Sequence, residues 1–228
     1  MKKALATFAL VALAAVAQAQ VISQWTFESA PPADLNNNTQ GPSVAADVGN
    51  GTATGVHANA NTDWSTPTGN QSANSFSAQT WTANDYWQFS LSTVGFTDIF
   101  VTVGQTRSST GPASWEFQYS SNGGTNFSTL TAYTVPEDSW STGSFDSTSE
   151  FTFDLTGVTA LDNNANVVFR LVNLSSPAAG GTSRVDDFYV SAGEPVYPAG
   201  FVIPEPATYM LFGIGILIAA HRLRRKQG

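Results

Sequence analysis

The sequence predicts an all-β body, a two-sheet antiparallel sandwich of jelly-roll type, on three observations. Trp115-Glu116-Phe117-Gln118-Tyr119 and Phe151-Thr152-Phe153-Asp154-Leu155 alternate apolar with polar residues, and a period of two places every apolar side chain on one face of a strand. Clusters of Gly, Asn, Ser, Thr and Pro separate such runs, as turns between short strands do. At least eight runs fit into the 184 residues from Gln20 to Ile203, enough for two sheets around one core.

In chain order, the first strand is expected over Val21 to Glu28. Asn36 to Thr82 carries apolar residues only in ones and twos and reads as loops with short edge strands. Further strands are expected at Trp87 to Leu91, Ile99 to Val103, Trp115 to Tyr119, Phe127 to Tyr133, Phe151 to Leu155, Val167 to Val172 and Val185 to Val190. Between Tyr119 and Phe127, Asn122-Gly123-Gly124 supplies the positive φ values of a tight hairpin. Glu194-Pro195 and Tyr197-Pro198 follow the last strand, so 193–203 reads as an extended spacer and 20–192 as the sandwich domain.

The two ends of the chain read as targeting segments. Lys2 and Lys3, the apolar run Ala4 to Val16 and the small-x-small Ala17-Gln18-Ala19 make 1–19 a secretory signal peptide. At the other end a Pro-x-Pro hinge, an uncharged run over 207–220 and the cations Arg222, Arg224, Arg225 and Lys226 form a segment that stops in a membrane with its basic end cytoplasmic. Those residues make a helix of about 21 Å, short of the ~30 Å hydrocarbon core. Residues 204–228 resemble the PEP-CTERM sorting signal: Pro204, Glu205 and Pro206 match its motif, Gly213 and Gly215 dot the helix, and arginines close it. The resemblance implies an exosortase as partner at the inner membrane, C-terminal processing, and delivery to the cell surface or extracellular matrix.

Removing both segments leaves an acidic body. Arg107, Arg170 and Arg184 stand against 16 acids, a net charge of −13 with no lysine. Such a surface repels phosphate backbones, which argues against nucleic acid as a partner, and attracts divalent cations. The absence of cysteine excludes disulfides and thiolate metal sites.

A catalytic constellation is not marked out. His57, the body's single histidine, stands without an acidic cluster in sequence, and there is no Gly-x-Ser-x-Gly elbow, His-Glu-x-x-His or phosphate-cradling loop. Glu116, Asp138, Glu150 and Asp154 offer carboxylates for a glycan hydrolase or lyase, but no pair is singled out. The leading expectation is therefore a non-enzymatic exported protein, with a carbohydrate-binding module for exopolysaccharide as the alternative. Trp64, Trp81 and Trp140 lie among Ser, Thr, Asn and Asp, where loop aromatics either stack on sugar rings or anchor loops over a sandwich edge.

Trp25-Thr26-Phe27-Glu28 and Arg184-Val185-Asp186-Asp187-Phe188-Tyr189-Val190 resemble the opening and closing strands of carbohydrate-binding-module-like jelly rolls. The resemblance implies that the terminal strands are neighbours and that Glu28, Asp186 and Asp187 hold a structural Ca²⁺, a hard cation suited to carboxylate oxygens. Alternation places Asp186 on the face of Phe188 and Val190, and Asp187 on that of Val185 and Tyr189. The alternative for Asp186 is a hydrogen-bonded cap or an ion pair with Arg184 or Arg170. Arg107-Ser108-x-x-Gly111-Pro112 before Tyr119-Ser120 also resembles a recurrent exported bacterial sandwich domain, and Arg107 reads as a structural arginine bonding loop carbonyls.

Overall fold

The computed structural model describes residues 18–201. The apolar part of the signal peptide, the Pro204-Glu205-Pro206 motif and the 207–220 helix lie outside the described residues. Thirteen strands follow one another: β1 (Gln20–Trp25), β2 (Val44–Ala45), β3 (Val48–Gly49), β4 (Thr52–Val56), β5 (Trp64–Ser65), β6 (Phe76–Ala78), β7 (Tyr86–Leu91), β8 (Ile99–Arg107), β9 (Ser114–Ser120), β10 (Ser128–Thr134), β11 (Glu150–Asp154), β12 (Val167–Asn173) and β13 (Ser183–Ala192). All eight runs expected to be strands form strands, with ends shifted by a few residues. Helix among the described residues is confined to two single turns of 3₁₀ type, Ser147–Ser149 and Thr159–Leu161.

Two antiparallel sheets result. One runs β11-β8-β13-β1-β3, with β6 also pairing β13 and β5 pairing β6; the other runs β10-β9-β12-β7-β4-β2. The terminal strands β1 and β13 are neighbours, as the resemblance implies, with Trp25 opposite Phe188. The hairpin turns at Gly123 and Gly124, both at positive φ, and joins β9 to β10.

Alternation explains the core. Trp87, Phe89 and Leu91 of β7 face Val101 and Val103 of β8 and Phe188 and Val190 of β13 between the sheets. Phe89 stacks on Phe188 at 3.5 Å between ring centres, and Phe117 on Phe153 at 4.1 Å.

Residues 36–82 differ from the expectation of peripheral loops. β4 is an interior strand between β7 and β2, and Trp64, Phe76, Ala78 and Trp81 are all core residues. Single apolar residues suffice here because β5 and β6 are only two and three residues long, too short to show a period. As far as Pro198 the stretch after β13 makes contacts with the seven-stranded sheet. The Val196 carbonyl accepts from Thr102 Oγ1 at 2.6 Å, the Glu194 carbonyl from Ser191 Oγ at 2.8 Å, and Pro198 is buried.

Candidate functional site

The first site expected from sequence is the acidic edge where β1 meets β13. Asp187 has a φ of +48° and lies in a β-bulge of β13 against β8, between Asp186 and Tyr189. An inserted residue breaks the period of two, so Val185 and Phe188 both join the core although three positions apart. The expected alternation is corrected accordingly: Asp186 pairs with Gly104 and does not share the inward face of Phe188.

Asp186 is fully buried and takes the capping role. Its Oδ2 accepts from the Asn70 backbone N–H at 2.9 Å and from Ser72 Oγ at 2.7 Å, and its Oδ1 from the Asp187 N–H at 2.8 Å. It forms no ion pair with Arg184 or Arg170 among the described residues. The acids around Asp187 are different ones. Asp187 Oδ1 accepts from the Tyr189 hydroxyl at 3.3 Å, Glu28 Oε1 from the Asn74 N–H at 2.7 Å, and Asp47 Oδ2 from the Thr26 N–H at 2.6 Å. Burial, reinforced by the charges of Glu28 and Asp47, pushes the Asp187 carboxyl up to about 7. Asp47 Oδ1 is buried without a hydrogen-bond partner.

A further acid that sequence reasoning did not single out for this edge is Glu150, opposite Gly104 on β11. Both its carboxylate oxygens are buried and unpartnered, and burial together with Asp187 and Asp186 holds its pKa well above the usual range. Among the described residues, no three acidic or histidine side chains come together as a preformed metal centre.

The tryptophans expected to stack on sugars are placed elsewhere. Trp64 and Trp81 are 1% exposed and Trp140 is 6% exposed, so none offers a ring face to a glycan. Trp64 packs on Phe76 and Trp87, Trp81 on Trp87 and Trp115, and Trp140 donates through Nε1 to Ser149 Oγ at 2.8 Å. Trp81 and Trp140 are loop anchors, the other half of the reading made from sequence, and Trp64 is a buried residue of β5. His57 is buried between Trp64 and Trp81, with Nδ1 3.0 Å from Thr62 Oγ1, and burial lowers its pKa to about 3. Arg107 donates to the carbonyls of Val135, Ser108 and Ser109, as a structural arginine should.

The arrangement with most binding chemistry lies on the outer face of the six-stranded sheet. Register places Thr54, Gln88, Arg170, Gln118 and Thr129 side by side across β4, β7, β12, β9 and β10. Their chain neighbours Trp87, Phe89, Phe169, Leu171 and Phe117 fill the core, so this row faces away from it. Arg170 donates from Nε to Gln88 Oε1 at 2.9 Å and from Nη2 to the Tyr86 hydroxyl at 3.1 Å. Its guanidinium carbon lies 3.9 Å from the ring centre of Tyr86 and 3.8 Å from that of Phe127. In the adjoining row of Ser90, Val168 and Ser120, the first two border an open pocket of about 300 Å³ that Asn50, Gly123 and Asn166 also line. The sequence signal for this face is the polar half of the same alternations used to find the strands.

Residues 202–226 match the model of the PEP-CTERM protein-sorting motif. No curated protein matches the chain. Among solved structures, the chain is similar to the CBM22-1-GH10 modules of the Clostridium thermocellum endo-1,4-β-D-xylanase 10B complexed with xylohexaose, at 14% identity and a TM-score of 0.46, over 78% of this chain and 30% of that one. The chain thus spans under a third of that protein's length. It is also similar to a xylan-binding domain from CBM 22, at 14% identity and a TM-score of 0.43, over 78% of this chain and 97% of that one. A third likeness is to carbohydrate-binding modules of the β-sandwich superfamily, at 16% identity and a TM-score of 0.43, over 74% and 61%. The chain is an exported protein that carries a PEP-CTERM sorting signal behind an antiparallel two-sheet β-sandwich.

Proposed function

We propose that the chain is a non-catalytic module, displayed at the cell surface or in the extracellular matrix after exosortase processing, that holds exopolysaccharide on the outer face of its six-stranded sheet. The row Thr54, Gln88, Arg170, Gln118 and Thr129 carries this reading. It sets amides, hydroxyls and a guanidinium at the ~4.8 Å spacing of neighbouring strands, with the half-buried rings of Tyr86 and Phe127 beside them. Hydroxyl-rich chains need such fixed donors and acceptors next to apolar ring surface.

A hydrolytic role finds no support on this face. Glu116 is the single carboxylate in its three paired rows, whereas glycoside hydrolysis calls for two flanking the scissile bond. Glu150 and Asp154 belong to the other sheet, and the Asp138 carbonyl accepts from Thr106 on that same sheet.

The test is affinity electrophoresis of the full chain in detergent through gels containing a polysaccharide panel. Retardation by at least one glycan, lost in Tyr86→Ala and Gln88→Ala but kept in a Trp140→Phe control, is expected. A chain that no glycan retards, or whose retardation those two variants leave intact, overturns the reading. Replacing Pro204, Glu205 and Pro206 in a host with the sorting enzyme should leave the protein unprocessed in the inner-membrane fraction. Normal surface delivery of that variant would count against the sorting part.

We also propose a structural Ca²⁺ at the β1–β13 edge. Of the three residues expected from sequence, Glu28 and Asp187 are retained and Asp47 is added, while Asp186 positions the bulge. The supporting observations are the orphaned Asp47 Oδ1 and the burial of Asp187, whose carboxyl is raised first by that burial and then by the charges of Glu28 and Asp47. A cation there supplies charge neutralisation and ties the first strand to the last.

A further inference from the structure

The three arginines of the body are not equivalent. Arg107 is spent on three carbonyls, and Arg184 lies on the seven-stranded sheet. Arg170 stands on the outer face of the other sheet with no carboxylate partner among the described residues. Tyr86 and Phe127 fix the plane of its guanidinium, and Gln88 and Tyr86 take Nε and Nη2. A guanidinium has five N–H donors; Nε and Nη2 each use one here, and Nη1 has no hydrogen-bond partner among the described residues. Tyr86 and Phe127 thus hold the cation in place by cation–π contact without neutralising it, which leaves its charge for an anion to pair.

The strands of this sheet carry few charges. Across β2, β4, β7, β9, β10 and β12 the charged residues are Arg170 and Glu116 alone, and Gln118 Nε2 donates to Glu116 Oε1. Of the body's 16 acids, the other 15 lie outside these strands. At physiological salt the Debye length is about 8 Å, so the charges nearest Arg170 count for more than the net −13 of the whole body.

We propose that Arg170 receives a carboxylate or sulfate group, so that the glycan bound on this face is an anionic one. The inference rests on the glycan-binding reading above and adds its substrate class. Bidentate pairing of a guanidinium with a carboxylate gives charge-assisted bonds that a neutral sugar hydroxyl does not match.

The experiment compares polygalacturonate with the same polymer after carboxyl reduction, in affinity gels at about 0.15 M salt. The full chain in detergent is expected to be retarded about tenfold more strongly by the charged form. Arg170→Gln should abolish that preference, Arg170→Lys should keep part of it, and Phe127→Ala, which frees the guanidinium without removing it, should weaken it. Equal retardation by both polymers, or a preference that survives in Arg170→Gln, overturns the inference while leaving a glycan-binding face intact. Retardation by neither polymer, together with binding of the panel's neutral glycans, also rejects the anionic class. Failure across the whole panel removes the glycan reading itself. Alginate serves as a second anionic probe, and melting curves of each variant identify any that fail to fold, for which Arg170→Lys and Phe127→Ala remain as tests.

Discussion

The carboxylate of Asp186 on the last strand accepts a 2.9 Å hydrogen bond from the backbone N–H of Asn70, 116 positions earlier. Asn70 in turn accepts from the Asp146 N–H through Oδ1 at 2.7 Å and donates from Nδ2 to the Asp146 carbonyl at 3.0 Å. One buried acid therefore closes two loops onto the seven-stranded sheet. Asp186→Ala leaves the Asn70 N–H and the Ser72 hydroxyl without their acceptor, at a cost of about 2–4 kcal/mol for the two together. For a domain of this size the melting temperature should drop by roughly 5–15 °C, to the same extent in EDTA and in Ca²⁺.

Calcium should act through a different residue. A ligand that binds only the folded state stabilises it by about 2.7 kcal/mol at a hundredfold excess over Kd. The melting temperature in millimolar Ca²⁺ is expected to exceed that in EDTA by roughly 5–10 °C. Asp187→Asn should remove the difference and also raise the EDTA value, since it removes the cost of burying a carboxylate and, secondarily, its repulsion from Glu28 and Asp47. Identical melting in Ca²⁺ and EDTA for the unmodified chain would refute the site.

His57 should make the fold acid-sensitive. Its folded pKa of about 3 lies below the ordinary value of 6.5, so the unfolded chain binds the proton first. The stability contributed by neutral His57 is complete above pH 6.5 and is lost as the pH falls from there towards about 3, at up to about 1.4 kcal/mol per pH unit. The buried acids contribute with the opposite sign, but they are common to both proteins when the native chain is compared with His57→Asn. Denaturant midpoints of the two measured from pH 7 to 4 should converge on acidification; parallel curves would show that His57 does not titrate as its burial requires.

Trp64 owes its place to Gly55. A Cβ at position 55 would lie 2.2 Å from Trp64 Cζ3 and 2.4 Å from Cη2, far inside van der Waals contact. Gly55→Ala should therefore destabilise by about 1–3 kcal/mol or more through overpacking, with a red shift of Trp emission as the ring is displaced. The double variant Gly55→Ala with Trp64→Leu should recover part of the loss. If Gly55→Ala alone melts as the native chain does, Trp64 is not held as described.

The sequence by itself determined eight of the thirteen strands, the adjacency implied for the first and last of them, the acidic balance of the body and the sorting signal. These are local properties: alternation at Trp115 to Tyr119 reports one strand's two faces, and Pro204-Glu205-Pro206 is read as a linear motif. Only the tertiary structure decided which side chains meet. The bulge at Asp187 reversed the facing of Asp186, because one extra residue shifts the period of two and leaves no mark in composition. Trp64, Trp81 and Trp140 turned from surface aromatics into buried residues, since a residue's burial depends on what folds over it. The row through Gln88, Arg170 and Gln118 exists only once four hairpin and crossover connections have set five strands in register, a non-local condition that no single stretch of chain encodes.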